Sequence, residues 1–173
     1  NIDVPPTLVS FAVTTDKVDN IVSPEFKNAG HKLYLISPEM DENGLPKTES
    51  LLATYNKITA LMREGAIAAC YTMGMGGIAE AVMKMAFGNG LGASLNDTLS
   101  LNELFGYNYA SFLVEATKDI DAKEIGVVTE KAEITYGGEA ADLNELLGVY
   151  ENKLESVYSC NIADTKEPVK NFS

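Results

Sequence analysis

From Thr7 to Thr14 apolar residues alternate with polar or small ones, placing Val9, Phe11 and Val13 on one face, and this period of two predicts a first strand. Leu33 to Ile36, a short apolar run after Gly30, predicts a second. Residues 16–28 between them are polar and interrupted by Pro24. Residues 37–47 hold Pro38, Pro46, Gly44 and several acids, the composition of an exposed loop. From Thr48 the period changes. Leu51, Tyr55, Ile58 and Met62 recur every three or four residues, an apolar stripe on a helix that packs on a sheet and that Gly65 stops.

Ile67 to Tyr71 is apolar throughout, as expected of a central strand covered on both faces. Ile78, Val82 and Met85 to Phe87 form a second helical stripe, ended by Gly88-Asn89-Gly90, and Gly92 to Leu95 predicts a short strand. Residues 111–116, 125–129 and 133–136 predict three more strands. Leu143, Leu147, Tyr150, Leu154 and Val157 then mark a terminal helix, with Asp142 and Glu145 placed as a capping box. The order β, β, α, β, α, β, β, β, β, α mixes crossovers with adjacent strands, so the expected fold is α/β (α+β), a mixed β-sheet carrying helices. Residues 1–158 form the expected domain. Residues 159–173 are polar, contain Pro168 and read as a linker or tail.

Composition narrows the function classes. The 173 residues, 46% hydrophobic and 22% charged, suit one globular domain. No apolar run reaches the roughly 20 residues of a membrane span, and residues 1–6 lack a signal core, so a soluble, cytoplasmic protein is expected. Thirteen basic side chains against 25 acidic ones give a net charge of −12, which argues against nucleic acid as a partner. On such a surface a phosphorylated ligand must be met by backbone N–H groups, a helix N-terminus or a metal ion. The two cysteines, Cys70 and Cys160, have no metal-ligand spacing and no nucleophile elbow, and fit a reducing compartment.

The sharpest local feature is Tyr71-Thr72-Met73-Gly74-Met75-Gly76-Gly77, a glycine-rich turn between a buried strand and an amphipathic helix. Without Cβ atoms the backbone turns tightly and approaches a ligand, and the N–H groups of the helix's first turn carry partial positive charge. The same glycines also suit a turn with no ligand, and both readings stand at this point. No Gly-Lys-Ser/Thr follows, so it is not a Walker loop. Gly88 to Gly92 closes a helix and reads as a C-cap. His31, with no carboxylate or second histidine near it in sequence, reads as a surface residue. Met73, Met75, Met83 and Met85 read as core packing, and Glu39, Asp41, Glu42 and Glu49 as a solvated acidic loop.

Three stretches together resemble one family: Pro6 to Ser10, the run from Gly76 to Gly92 (Gly-Gly-Ile-Ala-Glu-Ala-Val-Met-Lys-Met-Ala-Phe-Gly-Asn-Gly-Leu-Gly), and Asn102-Glu103-Leu104-Phe105-Gly106 leading into Ser111 to Val114. They are similar to the C-terminal domain of the aminoimidazole ribonucleotide synthetase superfamily, and within it to the phosphoribosylformylglycinamidine synthases. The resemblance covers Pro6 to Tyr158 and is most specific from Gly76 to Gly92. It implies a three-layer domain with partial ferredoxin-like topology from the second half of a larger ATP-dependent ligase of purine biosynthesis, its tail leading to a glutaminase domain.

ATP, magnesium and formylglycinamide ribonucleotide are then ligands of the complete enzyme, with no cofactor held tightly here and no activity from the isolated domain. Thr72, Gly74, Gly76 and Gly77 are the implied nucleotide or phosphate contacts. Catalytic and metal-ligating residues are not expected. The family's turn reads His-Asp-x-Ser-x-Gly-Gly, and Thr72 and Gly74 stand where its magnesium-binding Asp and nucleotide-facing Ser would be, which counts against metal binding. Other domains of one polypeptide are the expected partners, with a homodimer expected if the orphaned face self-associates. Two alternatives stay open: an interdomain packing role without a ligand, and another ATP-dependent member of the superfamily, such as a selenophosphate synthetase or thiamine phosphate kinase.

Overall fold

The computed structural model describes residues 6–159. Along the chain it builds β1 (Lys32–Ile36), α1 (Thr48–Arg63), β2 (Ile67–Thr72), α2 (Gly77–Phe87), β3 (Gly92–Leu95), α3 (Leu101–Phe105), β4 (Phe112–Ala116), β5 (Lys123–Thr129), β6 (Glu133–Tyr136), β7 (Glu139–Asp142) and α4 (Leu143–Asn152). The strands form one seven-stranded sheet in the order β2-β4-β1-β5-β3-β6-β7. Every neighbouring pair is antiparallel except β3 with β6, so the sheet is mixed, as the sequence predicts.

Strand alternation divides the interior in two. Leu33, Ala69, Leu113, Ile125 and Val128 face α2, whose Ile78, Val82 and Met85 are wholly buried among them. Tyr34, Ile36, Ile67, Val114 and Ala116 face the other way, onto Ile58 of α1. One helix layer on each side of the sheet gives three layers. Burying side chains of this size stabilises the fold by about 1.5–3 kcal/mol apiece before conformational entropy is counted, so α2, apolar around most of its girth, is fixed firmly in place.

Four expectations are corrected. Residues 7–14 form no strand and lie outside the sheet, with Leu8 95% and Val13 93% exposed. Their alternation states which face favours burial, but a strand also needs a neighbour for its backbone groups. β2 is an edge strand, not a central one, although both of its faces are covered; Cys70 N–H donates to Ser23 O at 3.4 Å along the outer edge. The terminal helix stops at Asn152, and Leu154 and Val157 lie exposed beyond it in hydrogen-bonded turns. Its N-terminus is as predicted in part: Asp142 Oδ1 accepts from Asn144 N–H and Glu145 N–H at 2.8 and 3.1 Å.

The fourth correction is two elements the sequence reading lacks. α3 carries a full capping box, in which Ser100 Oγ accepts from Glu103 N–H and Glu103 accepts from Ser100 N–H. β7 pairs with β6 across Gly137 and Gly138, both at positive φ, the two-residue turn that matches the twist of a hairpin.

Candidate functional site

The glycine turn leaves β2 at Thr72, which is exposed, and enters α2 at Gly77, which is buried. Met73 anchors it: its side chain is 3% exposed and its N–H donates to Ser111 O at 3.0 Å. Thr72, Gly74, Gly76 and Gly77 are therefore brought onto one turn. Gly77 has φ +64, and a Cβ there would lie 2.5 Å from Gly106 O and 2.7 Å from Leu104 O. Glycine is required at this point so that α2 and α3 can meet backbone to backbone.

The amide end of α2 is already engaged. Glu80, one turn into the helix, reaches back so that its Oε2 accepts from Gly76 N–H at 2.8 Å, while Oε1 pairs with Lys84 Nζ at 2.6 Å. The Lys84 hydrogen bond, followed by the Gly76 amide, holds the Glu80 carboxyl below the usual carboxylate range. Glu80 in turn raises Lys84, whose ammonium also lies 5.6 Å from the Tyr150 ring centroid. A Cβ at Gly76 would fall 2.7 Å from Glu80 Oε2, so this glycine makes room for an internal carboxylate.

Beside the turn lies a cleft of about 500 Å³, walled by Gly76, Glu80 and Met83 on one side and by Phe105, Tyr136 and Ala140 on the other. Its lining is mostly apolar, and it lies between α2, the end of α3 and the β6–β7 hairpin; the Tyr136 hydroxyl, donating to Leu99 O, holds the hairpin. Of the far wall, the parts built by α3 and β7 were not legible in the sequence pattern, although the Ser100-x-x-Glu103 spacing and the Gly137-Gly138 pair announce them.

Ser111 was missed as well. It is 1% exposed and its Oγ has no hydrogen-bond partner, an arrangement that costs about 1–3 kcal/mol. It sits at the head of β4, opposite Met73 and, by alternation with Leu113, on the α2 side of the sheet.

His31 departs from expectation. Its Nδ1 lies 2.7 Å from Glu115 Oε1, and Glu115, fully buried, also accepts from Lys27 N–H at 2.7 Å and Asn28 N–H at 3.0 Å. The partner lies 84 residues away in sequence, so only the fold reveals it. This constellation staples the 27–31 turn to β4. Asn89 Nδ2 donates to Phe26 O at 2.8 Å and Gly90 has φ +66, so the second glycine run closes α2 structurally, as expected. Burial in its strand pushes the Cys70 thiol up to about 12, well away from a reactive thiolate. Cys160 and the tail from residue 160 onward lie outside the described residues.

Met73 and Met85 pack in the core as expected, whereas Met75 is 66% exposed. The acidic loop is solvated and internally paired: Glu39 meets Lys47 at 2.9 Å and Asp41 accepts from the Asn43 and Leu45 amides.

The residues of the turn do not fit a magnesium ion. Thr72 offers a neutral hydroxyl, Gly74 offers no side chain, and both oxygens of Glu80 are committed to Gly76 and Lys84. Among the described residues no group of three or more His, Cys, Asp or Glu side chains is placed to hold a metal.

No family model matches the chain. It is 24% identical over 180 residues to the phosphoribosylformylglycinamidine synthase subunit PurL of Lactobacillus delbrueckii subsp. bulgaricus, covering 87% of this chain and 24% of that relative. The chain thus spans about a quarter of the length of the curated relative it matches. Thermotoga maritima PurL complexed with FGAR superposes with a TM-score of 0.59 at 14% identity, over 75% of this chain and 30% of the other. The same protein complexed with AMPPCP gives 0.60 at 15%, over 75% and 27%. These superpositions establish the fold, and the sequence similarity runs across nearly the whole chain. The chain thus shares the fold of part of Thermotoga maritima PurL and is similar in sequence to about a quarter of a phosphoribosylformylglycinamidine synthase subunit.

Proposed function

We propose that the chain is one domain of a phosphoribosylformylglycinamidine synthase, which converts formylglycinamide ribonucleotide, glutamine and ATP into formylglycinamidine ribonucleotide, glutamate, ADP and phosphate. The observation that carries this reading is the similarity to PurL over 87% of the chain, at a length only 24% of that relative. In this reading the missing partners are further synthetase-like domains and a glutaminase domain of the same enzyme, in the cytoplasm, and magnesium is held by residues outside this domain. The turn of Thr72, Gly74, Gly76 and Gly77, with the cleft beside it, is the face turned toward nucleotide. By itself the domain lacks the rest of the active site and turns over nothing. Coupled measurement of ADP and formylglycinamidine ribonucleotide tests this: the 173 residues alone give neither, and robust synthesis by them refutes the fragment reading.

A second reading has specific support. The Gly76 amide is taken by Glu80 and Gly77 is demanded by α3, so internal packing accounts for both glycines and the domain serves interdomain packing without meeting a ligand. Titration with ATP and magnesium, followed at the amides of Gly74 to Gly77, separates the two readings. Saturable shifts favour a ligand role; silence favours packing.

A further inference from the structure

We propose that the cleft between α2, α3 and the β6–β7 hairpin is a binding site for amines: ligands with an apolar, ring-sized body and a cationic head that pairs with Glu139. Its volume, about 500 Å³, is that of a small-molecule site. Separate elements build the walls, with Met83 from α2, Phe105 from α3 and Ala140 from β7. Phe105 is 64% exposed, so the lining leaves aromatic surface in water that an apolar body would cover. The head group is set by the polar side chains of the lining, which are Glu80, Tyr136 and Glu139. Glu80 is committed to the Gly76 N–H and to Lys84, and the Tyr136 hydroxyl donates to Leu99 O. Of the three, the Glu139 carboxylate has no hydrogen-bond or ion-pair partner among the described residues.

These side chains therefore have no proton left to donate and one negative charge left to satisfy. A carboxylate or phosphate head in the cleft meets like charge with no side-chain donor to receive it, whereas an ammonium meets an unpaired acceptor. The net charge of −12 draws cations toward the surface as well. Glu139 is exposed, so its pairing sets head-group preference while the apolar walls supply most of the affinity. A phosphate at the glycine turn and an amine in the cleft are separate occupants, and the proposal thus goes beyond the synthase reading. Product formation judges that reading; amine binding judges this one.

The test uses the 173-residue chain and three probes that share one ring system, naphthylmethylamine, naphthylmethanol and naphthoate, titrated at pH 7 and followed by NMR at the Ala79, Met83 and Ala140 methyl groups. The expected result is saturable shifts at these methyls, with the amine bound at least ~3-fold more tightly than the alcohol, the scale of one exposed ion pair, and naphthoate weakest. Glu139→Gln removes the charge and keeps the shape, and it brings amine and alcohol to equal affinity. Glu42→Gln, which neutralises a carboxylate outside the lining, keeps the preference of the parent and controls for overall charge. Absence of binding by all three probes overturns the proposal, as do shifts confined to methyls elsewhere. Equal affinity for the three head groups in the parent, or a preference that survives Glu139→Gln, overturns the role of Glu139 and with it the assignment to amines.

Discussion

Gly77 and Gly90 offer a controlled comparison of two demands on glycine. Their φ angles are nearly the same, +64 and +66, so replacing either with Ala incurs the same left-handed penalty, about 1–2 kcal/mol. Only Gly77 faces an obstacle: its new Cβ would lie 2.5 Å from Gly106 O and 2.7 Å from Leu104 O, while nothing lies within 4 Å of the one at Gly90. Both obstructing atoms are backbone carbonyls at the end of α3, which cannot rotate away, so an overpacking cost of about 1–3 kcal/mol is added. The expected losses are therefore about 2–5 kcal/mol for Gly77→Ala and about 1–2 kcal/mol for Gly90→Ala. Urea unfolding followed by far-UV circular dichroism measures both, and an unchanged m-value shows that the same transition is compared. If Gly77→Ala costs no more than Gly90→Ala, α2 and α3 do not meet as described, and the wall of the cleft built on that contact is wrong.

Three further outcomes follow from side chains. Glu115→Gln places an N–H₂ among the Lys27 and Asn28 amides and His31, so it loses about 2–4 kcal/mol in urea unfolding and speeds hydrogen exchange at residues 27–31, whereas His31→Ala leaves two amide bonds intact and loses less. Lys123 and the Ser100 amide hold the Glu103 carboxyl down to about 2 from 4.5; the folded value lies below the unfolded one, so its contribution is complete above pH 4.5 and fades as pH falls toward 2. Glu103→Gln flattens that stretch of the stability profile, and an unchanged slope refutes the pairing. Native Cys70 resists iodoacetamide at pH 8 and reacts once the chain is unfolded, as mass spectrometry of its peptide records.

Legibility followed locality. The stripe Leu51, Tyr55, Ile58 and Met62 and the run Ile78 to Phe87 state their helices outright, because a helix chooses its buried face within a few turns of sequence. β2 was read correctly as covered on both faces and wrongly as central: hydropathy reports what lies above and below a strand, not what lies beside it. Residues 7–14 have the alternation of a strand but no place in this sheet, whereas Glu139-Ala-Ala-Asp142 has almost no strand propensity and is one, held by the Gly137-Gly138 turn and by β6. The glycine turn of the site was visible in sequence. That Ser111 O receives the Met73 N–H and that α3 presses on Gly77 depend on contacts between separate elements.

The central claim is the assignment to a phosphoribosylformylglycinamidine synthase, and the most direct measurement is formylglycinamidine ribonucleotide formation from formylglycinamide ribonucleotide, glutamine and ATP, assayed for the longer reading frame that contains this sequence and for the 173-residue chain side by side. The account predicts product from the longer polypeptide, supplied with a glutaminase subunit if it lacks one, loss of that product when residues 6–159 are deleted, and none from the 173 residues alone. Undiminished synthesis after the deletion, or turnover by the isolated chain, contradicts it.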